Sequence, residues 1–246
     1  MRARTRLSSF PQPGMISGMA QAGPQASEWE RLLQAAERLQ SIVPGTILVG
    51  GSAEALHAGH RVSIDDDHVL PDLRDRFGEV LGGLESTSGW KTDRIQKPVL
   101  ILGSLDGVMT GLRQQRRARP LEVEEIRRLR VPTLPEMVRI KGWLLLTRDS
   151  TRDLLDAVVL IEKLGEASLA GAFSSFNEIY ERGPEGGVPL MELVDRLAAA
   201  RPADRAAVDL ATYKGIQTPW NGWPFLEARS RFWAGRLSAL VLGSEP

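Results

Sequence analysis

The run Thr46-Ile47-Leu48-Val49 favours a strand and stops abruptly at Gly50-Gly51-Ser52, after which Ala53 to Leu56 restart a helical pattern. A strand that feeds a helix through two glycines leaves the first helical N–H groups without intrahelical partners. Together with the Ser52 hydroxyl they offer a receptor for phosphate. Many strand-to-helix turns use glycine, so this feature alone does not fix the ligand.

A second strand is predicted over 62–70, and it carries Ser63-Ile64-Asp65-Asp66-Asp67. The two-residue period of a strand puts Asp65 and Asp67 on one face and Asp66 on the other. Carboxylates this close repel unless a cation lies between them. Mg²⁺ (or Mn²⁺) suits such a pair, because a hard ion takes few carboxylates and leaves sites for water and phosphate oxygens. A solvated acidic loop is the simpler alternative. The later helices supply Lys141, a point cation able to face phosphate, and then Asp153 and Asp156 on one helical face. Asp153 is explained by a capping box that starts at Ser150, whereas Asp156 is not.

The pattern along the chain predicts an α+β fold: a mixed sheet with flanking helices, then a helical C-terminal region. A flexible tail is expected over 1–26, an α/β core over 27–131 and a helical domain over 132–246. Ser27-Glu28-Trp29-Glu30 and Thr133-Leu134-Pro135-Glu136 read as capping boxes. Asp106-Gly107 between apolar runs reads as a hairpin turn. Segments 173–180 and 190–199 read as helices. Lys+Arg and Asp+Glu both number 31, so any contact with a polyanion must come from a local patch. Cysteine is absent, which excludes disulfides, thiol nucleophiles and Cys-ligated zinc. Apolar runs are too short to span a membrane, and a cytoplasmic location is expected.

Read together, these residues resemble the nucleotidyltransferase superfamily that includes DNA polymerase β, and within it the AbiEii-type nucleotidyltransferase toxins. The matching stretches are Leu48-Val49-Gly50-Gly51-Ser52-Ala53 and Gly59-His60-Arg61-x-Ser63-x-Asp65-x-Asp67. Leu105-Asp106-Gly107 follows, then Lys141 with Arg148, Asp153 and Asp156, so that the resemblance spans about residues 46–165. It implies transfer of an NMP from an NTP to an acceptor hydroxyl, with tRNA or another RNA as acceptor and a cognate antitoxin as partner. Asp65 and Asp67 would hold the metal, Gly50, Gly51, Ser52 and Lys141 the phosphates, and Asp156 would orient or activate the attacking group. One departure stands out: Asp66 and His68 occupy positions that point towards the core and are usually apolar. A third carboxylate is not obvious, and Asp106 is the candidate.

Three other readings stay open. Glu54, His57 and His60 could share a helix face and form a metal-dependent hydrolase site. The chain could be an inactive member of the superfamily that only binds a partner. Arg113, Arg116, Arg117 and Arg119 could contact RNA, although nearby Glu122, Glu124 and Glu125 suggest a solvated surface. The aromatic tail, including Trp220, Trp223, Phe225 and Trp233, reads as core around a terminal helix.

Overall fold

A computed structural model describes residues 24–63, 65–183 and 186–243. Its elements in order are α1 (Pro24–Ile42), β1 (Ile47–Val49), α2 (Gly50–Ala58), β2 (Asp66–Leu70), α3 (Leu73–Glu85), β3 (Trp90–Gln96), β4 (Leu100–Leu105), β5 (Val108–Gln114), β6 (Val123–Ile126) and β7 (Leu129–Pro132). The remainder is helical: α4 (Leu134–Arg148), α5 (Thr151–Leu164), α6 (Leu169–Phe173), α7 (Phe176–Ile179), α8 (Pro189–Ala199) and α9 (Trp223–Leu242). The five-stranded sheet has the order β1-β2-β5-β4-β3, and only the β2–β5 pair is parallel. The expected α+β class, mixed sheet and helical C-terminal region are all present.

Local chemistry explains most boundaries. Asp106 and Gly107 both adopt positive φ (52° and 79°), which turns β4 into β5. The Thr133 and Ser150 side chains accept hydrogen bonds from the Glu136 and Asp153 N–H groups and so cap α4 and α5. Helix α1 starts at Pro24, so Ser27 lies in its first turn rather than at its cap, and residues 1–23 of the expected tail lie outside the described residues. The helix expected over 173–180 is split into α6 and α7 around Ser174-Ser175.

The strand expected over 62–70 is shorter. Before Asp66 the chain bonds elsewhere: the Val62 N–H donates to the Lys214 carbonyl (2.8 Å), and the His60 carbonyl accepts from the Gln217 N–H (3.0 Å). Asp65 therefore precedes the strand, and Ile64 lies outside the described residues. Strand β6 was hidden in the charged stretch. It pairs with β7 through Arg127 and Arg128, both at positive φ (52° and 65°), and these two arginines pair with Glu30 and Glu37 on α1.

Two apolar clusters hold the elements in place. Leu39 of α1, Val43 just after it, and Leu73, Phe77, Val80 and Leu84 of α3 pack on Leu70, Ile101, Leu105 and Leu112 of the sheet. A larger cluster runs from Leu48, Ala53 and Val131 into α4, α5, α8 and α9, with Phe176 fully buried within it. Phe176→Ala removes a ring that packs on Phe173 and Tyr180. It should cost about 3–5 kcal/mol in urea denaturation, and a loss under about 1 kcal/mol would show that this cluster does not hold the helices together.

Candidate functional site

The turn from β1 into α2 takes the form expected from its glycines. Gly50 has φ +68°, and α2 begins there with no side-chain cap on its N-terminus. Across the turn stands Asp67: its Oδ2 is 3.7 Å from the place a Cβ on Gly50 would occupy. Asp67 also lies over its register partner on β5, where a Cβ on Gly111 would come within 2.7 Å of Oδ1. Small residues on two flanks thus leave the carboxylate half-exposed on the open face of the sheet. Asp65 is exposed at the head of β2, and its carbonyl accepts a 2.6 Å hydrogen bond from the Ser52 hydroxyl. The buried Ser52 thereby ties the first turn of α2 to the acidic segment.

Arg113 on β5 stands 3.5 Å from Asp67 Oδ1. Strand β5 (Val108–Gln114) holds no acidic residue, so the face it shares with Asp67 offers no third carboxylate. Asp106 sits at the β4–β5 turn and pairs with Arg38. It lies five residues before Gly111, roughly 16 Å along the strand.

The alternation of β2 has the assumed register: Asp66 and His68 are buried, and Asp67 points the other way. In the sheet, His68 is flanked by Leu48 and Leu112, both fully buried. Burial pushes the Asp66 carboxyl up to about 8, against a hydrogen bond from Thr110, and drives the His68 imidazole down to about 3. Asp66 Oδ1 and His68 Nδ1 are 3.3 Å apart. A carboxyl that keeps its proton and an imidazole without one can share a core where two charges could not.

Lys141 and Asp156 meet in a second, fully enclosed constellation. Lys141 Nζ lies 2.5 Å from Glu54, 3.0 Å from Asp156 and 3.4 Å from Asp153. Arg61 donates to both oxygens of Asp156 (2.8 and 2.7 Å) and to Glu54 (3.0 Å), and His60 Nε2 is 2.9 Å from Asp156. Burial alone would lower the Lys141 ammonium, but the charges of Asp156, Glu54 and Asp153 hold it up. Burial would raise Asp156, yet the Lys141 charge and the His60 and Arg61 hydrogen bonds hold it well below the usual range. Glu54 is the member that keeps a proton: burial and the Asp156 charge raise it to about 8, although Lys141 and Arg61 pull the other way.

Oxygen and nitrogen atoms of Glu54, His60 and Asp156 lie within 4.8 Å of one another, which is close enough for a metal. The Lys141 and Arg61 cations already compensate the acids there, so this trio does not fit a divalent ion. His57 lies apart from it, with Nε2 2.8 Å from the Pro132 carbonyl. The spacing of Glu54, Arg61 and Asp156 carried no sign that they meet. The one local hint was Gly59, whose left-handed conformation ends α2 and turns His60 and Arg61 back towards α5.

The basic segment is largely paired: Arg117 with buried Glu136 (2.7 Å) and Arg119 with Glu178 (3.6 Å). In the tail, Trp233 is buried and Trp220 packs edge-on against Phe225, while Phe232 is partly exposed between Arg229 and Arg236.

No family model matches the chain. Among solved structures it is similar to a Helicobacter pylori chain assigned as a nucleotidyltransferase, with a TM-score of 0.55 and 16% identity over 89% of this chain and 99% of that one. JHP933 from Helicobacter pylori is similar too, at 0.54 and 15%, covering 91% and 97%. Likeness at these identities concerns the fold alone, and the α+β architecture described above is the one this chain shares with them. Curated sequences add MmpL11, a heme uptake protein of Mycobacterium tuberculosis, at 24% identity over 215 residues and 75% of this chain. The MmpL11 lipid exporter of Mycolicibacterium smegmatis matches at 24% over 212 residues. This chain spans about a fifth of the length of these curated relatives. No helix among the described residues is long and apolar enough to cross a membrane.

Lys141→Met leaves Glu54, Asp153 and Asp156 crowded in the dark, and should cost about 3–5 kcal/mol in denaturant. An unchanged midpoint would contradict the pairing. Glu54 titrates near 4.5 in an unfolded chain and near 8 when folded, so between those values the native state holds a proton that the unfolded state gives up. Its contribution to stability is therefore complete below pH 4.5, declines as pH rises, and levels off above 8. Glu54→Gln should flatten the fall in denaturation midpoint across that window relative to wild type; parallel curves would refute the buried proton.

Proposed function

We propose that the chain is a metal-dependent nucleotidyltransferase that moves an NMP from an NTP to an acceptor hydroxyl. The observation that carries this reading is the placement of Asp67 across the uncapped Gly50 turn, with Asp65 tied beside it through Ser52. Asp65 is exposed and Asp67 partly so, and their carboxylates, as hard oxygen donors, would hold Mg²⁺ or Mn²⁺. That ion would neutralise phosphate charge and polarise the reacting phosphoryl group.

The chain's own groups would do the rest by positioning and charge complementarity. The N–H groups at the start of α2 would receive triphosphate oxygens. The acceptor oxygen would attack the α-phosphorus in line, the bond to the β-phosphate oxygen would break, and pyrophosphate would leave while the hydroxyl proton passes to water or a carboxylate. Lys141 and Asp156 are enclosed, so we assign them to holding α5 and the His60-Arg61 turn against α2 rather than to direct contact with phosphate. The motif resemblance supports an AbiEii-type toxin with tRNA or another RNA as acceptor and an antitoxin protein as partner.

A specific observation favours a second reading, an inactive nucleotide-binding relative. Arg113 pairs with Asp67, and β5 carries no acidic residue. Incubation with each labelled NTP, total RNA, and Mg²⁺ or Mn²⁺ separates the two. The transferase reading expects metal-dependent incorporation that falls at least ~100-fold in Asp67→Ala, because each lost 1.4 kcal/mol of transition-state stabilisation is tenfold in rate. Nucleotide binding with no incorporation by wild type would establish the inactive reading instead.

A further inference from the structure

We infer that Arg152, together with the Ser63 hydroxyl, completes a polyphosphate-binding subsite at the N-terminus of α2. Three independent features converge on Gly51. Helix α2 starts one residue earlier, at Gly50, without a side-chain cap, so its first N–H groups lack a side-chain acceptor. The Ser63 hydroxyl is buried, has no hydrogen-bond partner among the described residues, and lies 2.7 Å from where a Gly51 Cβ would stand. The Arg152 guanidinium reaches the same point from the first turn of α5, with Nη2 2.9 Å from that position.

Arg152 differs from its cationic neighbours in its company. Lys141 and Arg61 are enclosed among Glu54, Asp153 and Asp156, and Arg113 faces Asp67. Arg152 is exposed and meets no carboxylate within ion-pairing distance among the described residues. A buried hydroxyl without a partner is a donor in want of an acceptor. A guanidinium beside it supplies a planar fork that matches phosphate oxygens. A side chain at Gly51 would collide with both groups, so glycine is what lets them approach the start of α2 this closely. The ligand class is a polyphosphate, the triphosphate of an NTP under the function proposed above, on which this inference rests.

Titration calorimetry with sodium tripolyphosphate tests the subsite without any need for catalysis. Wild type should bind, and Arg152→Ala should weaken binding about tenfold or more, since a charge-assisted contact is lost. Ser63→Ala should weaken it to a smaller degree, Arg152→Lys should restore part of the loss, and Arg94→Ala on exposed β3 should match wild type. Equal affinity in wild type and Arg152→Ala, or no binding by folded wild type, would overturn the inference. Labelled-nucleotide transfer measured in parallel separates this inference from the reading beneath it. Transfer with unchanged KM for NTP in Arg152→Ala removes the subsite and leaves the transferase. Arg152-dependent tripolyphosphate binding without transfer removes the transferase and leaves the subsite.

Discussion

The enclosed pairing of Lys141 and Arg61 with Asp156 and Glu54 is the constraint from which the rest of the site follows. Charges taken out of water are costly unless every one finds a partner. Here two cations, Lys141 from α4 and Arg61 from the turn after α2, meet the acids, and Glu54 keeps a proton so that the cluster is not left with excess negative charge. The partners come from α2, the turn after it, α4 and α5. Satisfying them holds α5 beside α2 and fixes the turn that carries His60 and Arg61. A helix pair held only by apolar contacts would have no such fixed register.

Strand β2 then divides two kinds of acid by environment alone. Asp66 faces inward, with Thr110 and His68, and burial keeps its proton on. Asp67, the next residue, faces outward between Gly50 and Gly111 and meets the Arg113 cation. One residue of strand period therefore separates a neutral core carboxyl from a carboxylate on the open face. The uncapped end of α2 adds a region of positive potential opposite that carboxylate. Gly50 and Gly111 let the carboxylate lie close to the β1–α2 turn and to β5, and under the proposed function this is where a polyphosphate and its cation would meet the chain.

Much of this could be read in the residues. Gly50-Gly51 after an apolar run, Asp106-Gly107 between strands, and the Thr133 and Ser150 caps are local signals, decided within four or five residues, and the structure has all of them. Where tertiary contacts decide, sequence reading gave way. Asp65 falls outside β2 because residues 60–62 bond to the segment near Lys214, about 150 residues on. Strand β6 looked like a solvated acidic stretch because both its faces are exposed and its pairing to β7 carries no apolar alternation. Lys141 read as a free cation because nothing in its neighbourhood along the chain announces Glu54. The aspartate after Asp65 looked like a departure from pattern, and its meaning emerged only once His68 and Thr110 were seen beside it.

The most direct test of the central claim is a crystal structure with Mn²⁺ and a non-hydrolysable NTP, read by the anomalous signal of the metal. A manganese peak is expected between Asp65 and Asp67, with the triphosphate lying along the Gly50–Ser52 turn. Manganese among Glu54, His60 and Asp156, or nucleotide bound away from that turn, would contradict that claim.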